Sequence, residues 1–83
     1  MAILVDTNIL LRISQPDTAQ SAIAEHALDA LRIRNEELSI TSQNLVEFWA
    51  VATRPLTQNG LGFTFEQAKG QMFALKQLFT LLP

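Results

Sequence analysis

The chain has 83 residues, 48% of them apolar, and a formal net charge of −2. A chain of this length forms one small domain over 1–83, and its apolar fraction is high enough for a folded core. The absence of cysteine and the presence of a single histidine, His26, exclude a disulfide scaffold and a zinc site built on thiolates or several histidines. The acidic balance argues against a strongly basic nucleic-acid-binding surface, but not against an enzyme that holds nucleic acid through a metal ion.

The sequence shows neither a membrane-spanning segment nor a secretory signal. No apolar run approaches the roughly 20 residues that span a bilayer. The N-terminus has neither the basic segment nor the cleavage site of a secretory signal. We therefore expect a cytoplasmic protein with no membrane contact.

The predicted elements alternate between strands and helices along the chain. The run Ala2-Ile3-Leu4-Val5 is apolar without alternation, which predicts a strand buried on both faces, as in a parallel sheet. Thr41 or Ser42 can cap a helix that Arg54-Pro55 closes. Such alternation indicates an α/β fold with a short parallel sheet. The expected strands are near 2–6, 37–41 and 79–83, and the expected helical segments are 9–13, 17–35, 43–53 and one that begins after Thr64.

Asp6 is the first candidate functional residue, because it comes directly after the first strand. In open parallel sheets, ligands bind at the carboxyl ends of the strands, so a carboxylate there lies at the expected site. The alternative is structural: Asp6 caps the following turn, and Asn8 makes a second local hydrogen bond. Position alone leaves both interpretations open.

Glu47 is the second candidate, as the only charged residue between Thr41 and Thr53. Apolar residues surround it on the predicted helix, which indicates a buried helix, where a carboxylate is costly unless it is paired or binds a metal ion. The alternative is that Glu47 lies on a solvated edge of the helix. Two acidic groups at one end of a sheet would suit Mg²⁺, which takes oxygen ligands and keeps several waters.

Two blocks of the sequence resemble a known family. The segment Ile3-Leu4-Val5-Asp6-Thr7-Asn8-Ile9-Leu10-Leu11-Arg12 resembles the opening of a PIN domain, the nuclease fold of many toxins in bacterial toxin–antitoxin pairs. The segment Leu45-Val46-Glu47-Phe48-Trp49-Ala50-Val51-Ala52-Thr53-Arg54-Pro55 is similar to the second block of that family. The loop 56–64 and the last helix follow the order of the family as well.

The resemblance implies a function and a site. It implies a three-layer α/β fold and a metal-dependent endoribonuclease that hydrolyses RNA phosphodiesters. Asp6 and Glu47 would be the catalytic, metal-binding residues for Mg²⁺ or Mn²⁺, and Thr7 and Asn8 would support the turn that aims Asp6. PIN domains are longer than this chain, and their other acidic residues follow in a C-terminal half. The sequence is therefore expected to be the N-terminal part of a truncated PIN domain, whose own activity is feeble.

Two other functions are compatible with the sequence. The first is a non-catalytic PIN remnant that binds an antitoxin-like protein through its first helices, or that forms a homodimer. The second is a phosphatase of the haloacid dehalogenase type, which also begins with a strand-terminal Asp. That family needs a second Asp two residues further on, where this chain has Asn8. The phosphatase is therefore the weakest of the three hypotheses.

Overall fold

The computed structural model describes residues 2–15 and 19–83, and in this part of the chain it confirms an α/β fold with a parallel sheet. Strands and helices alternate as the sequence predicts. The elements are β1 (Ala2–Leu4), α1 (Thr7–Ile13), α2 (Ala19–Ile33), β2 (Glu37–Ile40), α3 (Ser42–Ala52), a 3₁₀ turn (Leu56–Gln58), α4 (Phe65–Leu78) and β3 (Thr80–Leu81). The predicted start of the second helix at Asp17 lies outside the described residues.

The three strands form one sheet in the order β1-β2-β3, with both pairs parallel. Ile3 lies opposite Leu38 of β2, and the backbone N–H of Val5 donates to the Ser39 carbonyl at 2.8 Å. In the described part of the chain, β2 is therefore the central strand and β1 has one open edge.

The prediction that β1 is buried on both faces is wrong. Successive side chains of a strand point to opposite faces, so Leu4 points away from the face that carries Ile3 and Val5. Ile3 packs against the core and Val5 is buried, whereas Leu4 is 61% exposed. The reason is that no described element covers the second face of this edge strand at Leu4.

All three strands, β3 included, are shorter than predicted, and side-chain caps explain where β1 and β2 end. Asp6 has extended backbone angles and is the N-cap of α1, so the chain leaves β1 before reaching it. Thr41 is the N-cap of α3 in the same way and ends β2 at Ile40. Thr64 caps α4, with the Gln67 side chain bonded back to the Thr64 N–H at 2.9 Å. These polar side chains accept hydrogen bonds from backbone N–H groups at the helix starts. The chain therefore turns into a helix at these residues instead of continuing the strand.

The core is built from the inner faces of the helices and the sheet. Phe48 is the largest fully buried side chain, and Leu10, Ile40 and Leu75 are buried with it. The remaining buried members of this cluster are Val5, Leu28, Leu38, Leu45, Ala52, Ala68 and Phe79. α1 packs on both α2 and α3, while α3 also contacts α4. This packing fixes α1 and α3 side by side at the end of β1.

The loop from Arg54 to Phe63 connects α3 to α4. Gly60 donates its N–H to the Pro55 carbonyl at 3.0 Å, and a Cβ at this position would overlap the Arg54 backbone, so only glycine fits. The Phe63 N–H returns to the Ala52 carbonyl at 2.8 Å. The loop therefore begins α4 close to the end of α3.

Candidate carboxylate site

Asp6 lies at the end of β1 and at the start of α1, where the sequence places it. Its side chain is exposed, and Oδ1 accepts a hydrogen bond from the Asn8 N–H at 3.2 Å. The structural role considered above is thus present. Within the described residues, Oδ2 has no hydrogen-bond partner and remains available to a ligand.

Glu47 projects from α3 beside the start of α1. The Thr7 hydroxyl donates to Glu47 Oε1 across 3.4 Å, although the two residues are 40 positions apart in sequence. This distance exceeds the usual O–H···O length of about 2.7–2.8 Å, so the bond is weak. It nevertheless brings the residue that follows Asp6 to Glu47, so the two predicted acidic residues belong to the same region of the surface.

The burial predicted for the helix around Glu47 is wrong. Leu45, Phe48 and Ala52 face the core, but Glu47 is exposed and its neighbour Val46 is 62% exposed. α3 contacts α1 and α4, and these contacts leave the side chains of Val46 and Glu47 exposed. Burial therefore gives Glu47 no need for a partner, and its candidacy rests on its position beside Thr7.

Asn44 is a site residue that the sequence analysis did not identify. Its Nδ2 donates to the Thr7 hydroxyl at 2.9 Å, and its Oδ1 accepts from the Thr41 N–H at 2.9 Å and from the Thr41 hydroxyl at 3.0 Å. A chain of hydrogen bonds thus runs from Thr41 through Asn44 and Thr7 to Glu47. The sequence shows Asn44 three residues after Thr41, which is a capping pattern. Its contact with Thr7 leaves no such pattern, because the two residues are 37 positions apart.

The two carboxylates are oxygen donors of the type that Mg²⁺ and Mn²⁺ take as ligands. Asp6 and Glu47 supply carboxylate oxygens, the ligand type these hard cations prefer, and Mg²⁺ is commonly held by one or two carboxylates while it keeps several waters. Over the described residues, no group of three or more His, Cys, Asp or Glu side chains is placed to hold a metal ion. Protein ligands would therefore fill only a minority of the coordination positions.

Three further ionisable side chains form no hydrogen bond or ion pair with the two carboxylates within the described part of the chain. His26 is exposed on α2 and has no such bond to Asp6 or Glu47. Arg12 and Arg54 are exposed, and neither makes a hydrogen bond or ion pair with the carboxylates among the described residues. Asn8 contributes its backbone N–H to Asp6.

No family model matches the chain, and comparison with curated proteins and with solved structures also gave no match. The resemblance to PIN domains therefore rests on the two sequence blocks around Asp6 and Glu47. In the described ranges 2–15 and 19–83, we also find no helix with the length and apolar character needed to cross a bilayer.

The role of Asn44 leads to the first prediction. Asn44→Ala removes the hydrogen bonds to Thr7 and Thr41, so we expect it to lower the free energy of unfolding by about 1 kcal/mol. Gln43→Ala is the matched control, since the Gln43 side chain is exposed and makes no hydrogen bond in the described residues. Urea unfolding followed by circular dichroism measures both. Equal midpoints for the two variants would contradict the prediction.

Proposed function

We propose that the chain carries the first two acidic residues of a PIN-like, metal-dependent endoribonuclease of the toxin type. The observation that supports this best is the contact between Thr7 and Glu47. It joins the segment around Asp6, at the end of β1, to Glu47 on helix α3. These are the two sequence blocks that resemble the family. The topology is compatible with the proposal, because β1 keeps an edge to which further strands can add.

Each residue of the site has a specific task in this proposal. Asp6 and Glu47 hold Mg²⁺ or Mn²⁺, which when bound activates water and neutralises charge on the scissile phosphate. The Asn8 N–H fixes one oxygen of Asp6 and leaves the other for the ion. Thr7 and Asn44 orient the Glu47 carboxylate through their hydrogen bonds. With so few protein ligands, we expect the ion to bind weakly and RNA cleavage by the 83-residue chain to be slow.

Asp6→Asn is the variant that tests the proposal most directly. Asn is as good an N-cap as Asp, so this change removes the negative charge and keeps the cap of α1. Calorimetry with Mn²⁺ should show a weak binding heat for the wild type and none for Asp6→Asn or Glu47→Gln. Glu66→Gln is the control, because Glu66 is an exposed carboxylate in the first turn of α4 and should leave Mn²⁺ binding unchanged.

Cleavage of a labelled single-stranded RNA is the second measurement. We expect slow, Mn²⁺-dependent cleavage that Asp6→Asn and Glu47→Gln abolish and Glu66→Gln retains. Mn²⁺ heats that are identical in all four proteins, or cleavage that persists without Asp6, would overturn the proposal. Fast cleavage lost in Asp6→Asn would keep the site and refute the expectation of feeble activity.

A non-catalytic chain that associates with itself is the second candidate. It is favoured by the exposed Leu4 on the open-edged strand β1. This candidate needs no metal ion and predicts no cleavage by any variant. Its own test, the oligomeric state of Leu4 variants, is independent of the carboxylates.

A further inference from the structure

An apolar groove lies between α3 and α4, apart from the carboxylate site. Its volume is about 610 Å³, within the range typical of binding clefts. It is lined by Leu45, Val46 and Trp49 of α3 and by Phe65, Met72 and Phe73 of α4. The Trp49 and Phe65 rings meet edge to face with centroids 5.1 Å apart, which stiffens this end of the groove.

The groove is a surface feature and not part of the core. Phe73 is 67% exposed, and Phe65 and Val46 are exposed to a similar degree. Large apolar side chains that are clustered and open to water mark an interaction site, whereas single exposed ones do not. Nothing in the proposed chemistry of Asp6 and Glu47 uses these residues.

All charged side chains that line the groove are positive. Lys69 and Lys76 are the only lysines of the chain, and both line the groove. They are seven residues apart on α4, so they lie two turns apart on the same side, about 10 Å along the axis. Neither lysine has an ion-pair partner among the described residues, and no acidic side chain lines the groove.

The two lysines favour one kind of ligand for the groove over the alternatives. Two copies of the chain that met groove to groove would bring four ammonium groups into one apolar interface, which is unfavourable. A nucleic acid would place hydrated riboses and phosphates against an apolar lining whose only charged groups are the two lysines, and the chain as a whole has a net charge of −2. Both features disfavour a nucleic acid as the ligand of the groove. A helix with a stripe of apolar side chains and carboxylates beside it can pack on the apolar lining and form ion pairs with the lysines.

We propose that the α3/α4 groove binds an amphipathic helix of another protein, with apolar anchors at i, i+4 and i+7 and two carboxylates seven residues apart. The anchors fill the space between Trp49 and Phe73. The carboxylates pair with Lys69 and Lys76, whose spacing sets the register of the bound helix. The partner is thus an acidic helical segment, and its binding is independent of metal.

The test uses a fluorescent helical peptide with leucines at i, i+4 and i+7 and two glutamates seven residues apart. The control peptide has lysines in place of these glutamates. Fluorescence anisotropy should show that the wild-type chain binds the glutamate peptide about tenfold more tightly than the lysine peptide, as expected for two surface ion pairs replaced by two repulsions. The double variant Lys69→Glu with Lys76→Glu should reverse this preference.

Phe73→Ser is the second variant and should weaken both peptides, because it removes apolar contact without touching the core. Circular dichroism should show that both variants fold, since the changed side chains are exposed. Equal binding of the two peptides to wild type and to the charge-reversed variant, or no binding at all, would overturn the proposal. A single-stranded oligoribonucleotide that displaces the peptide, or dimerisation that charge reversal abolishes, would assign the groove to another occupant and overturn it as well.

Discussion

Replacing Phe48 with alanine is expected to lower the free energy of unfolding by about 3–5 kcal/mol. Phe48 is fully buried at the centre of the core, where α3 packs towards α1 and the sheet. Truncation of a buried phenylalanine costs about 3–5 kcal/mol. An 83-residue chain has a total stability of roughly 4–12 kcal/mol, with the lower end typical of small chains that bury less surface. One substitution therefore removes a large part of the stability.

Phe73→Ala is the matched control for this prediction. The side chain has the same chemistry and is 67% exposed on α4, so its truncation should change the free energy of unfolding by less than about 0.5 kcal/mol. Urea unfolding followed by tryptophan fluorescence measures both variants, since Trp49 lies next to Phe48 in the sequence. A Phe48→Ala protein with nearly wild-type stability would show that the core lies elsewhere. The same control variant separates folding from binding in the groove between α3 and α4.

The order of elements could be predicted because local signals agree with the fold. Capping residues such as Thr41 and Thr64 mark helix starts in the sequence, and the structure uses both. The same residues made the strand limits inaccurate. A polar residue next to an apolar run can extend the strand or cap the next helix, and the sequence does not indicate which competing hydrogen bond will form.

Burial was harder to predict than secondary structure. The helical period shows which residues share a face, but it does not show whether another element covers that face. Phe65, Met72 and Leu75 fall on one apolar stripe of α4, yet the structure buries Leu75, leaves Phe65 63% exposed and half-buries Met72 beside the groove. The burial of Leu4 and Glu47 was mispredicted for the same reason, since the described elements leave both side chains exposed.

The candidate site was predictable only where the signal is local. Asp6 follows a strand, and Glu47 is the single charge in an apolar segment, so both are visible in the sequence. The link between them runs through Thr7 and Asn44, whose hydrogen bond depends on how α1 packs against α3. Such a contact between distant parts of the chain leaves no pattern in a single sequence.

The chain is expected to associate with itself through the open edge of β1. The open edge of β1 presents the backbone N–H and C=O of Leu4, because the groups of Ile3 and Val5 point to β2. A free strand edge is a template for pairing with another chain, and the exposed Leu4 side chain adds apolar surface to the contact. β1 carries no charge, so a second copy can approach it without the repulsion that the lysines create in the groove. Two-fold pairing of β1 with its copy would close the assembly as a homodimer.

Leu4→Lys is the variant that separates association from folding. Lysine at this exposed position blocks edge pairing by charge and leaves the core intact, so we expect a folded monomer of about 9.2 kDa where the wild type forms a species of twice that mass. Ile3→Lys should lose both association and folding, because Ile3 packs against the core on the other face of the same strand. Size-exclusion chromatography with light scattering at micromolar concentration, together with circular dichroism, distinguishes these outcomes. A wild-type chain that remains a folded 9.2 kDa monomer would refute the prediction, and a Leu4→Lys protein that still dimerises would move the interface away from β1.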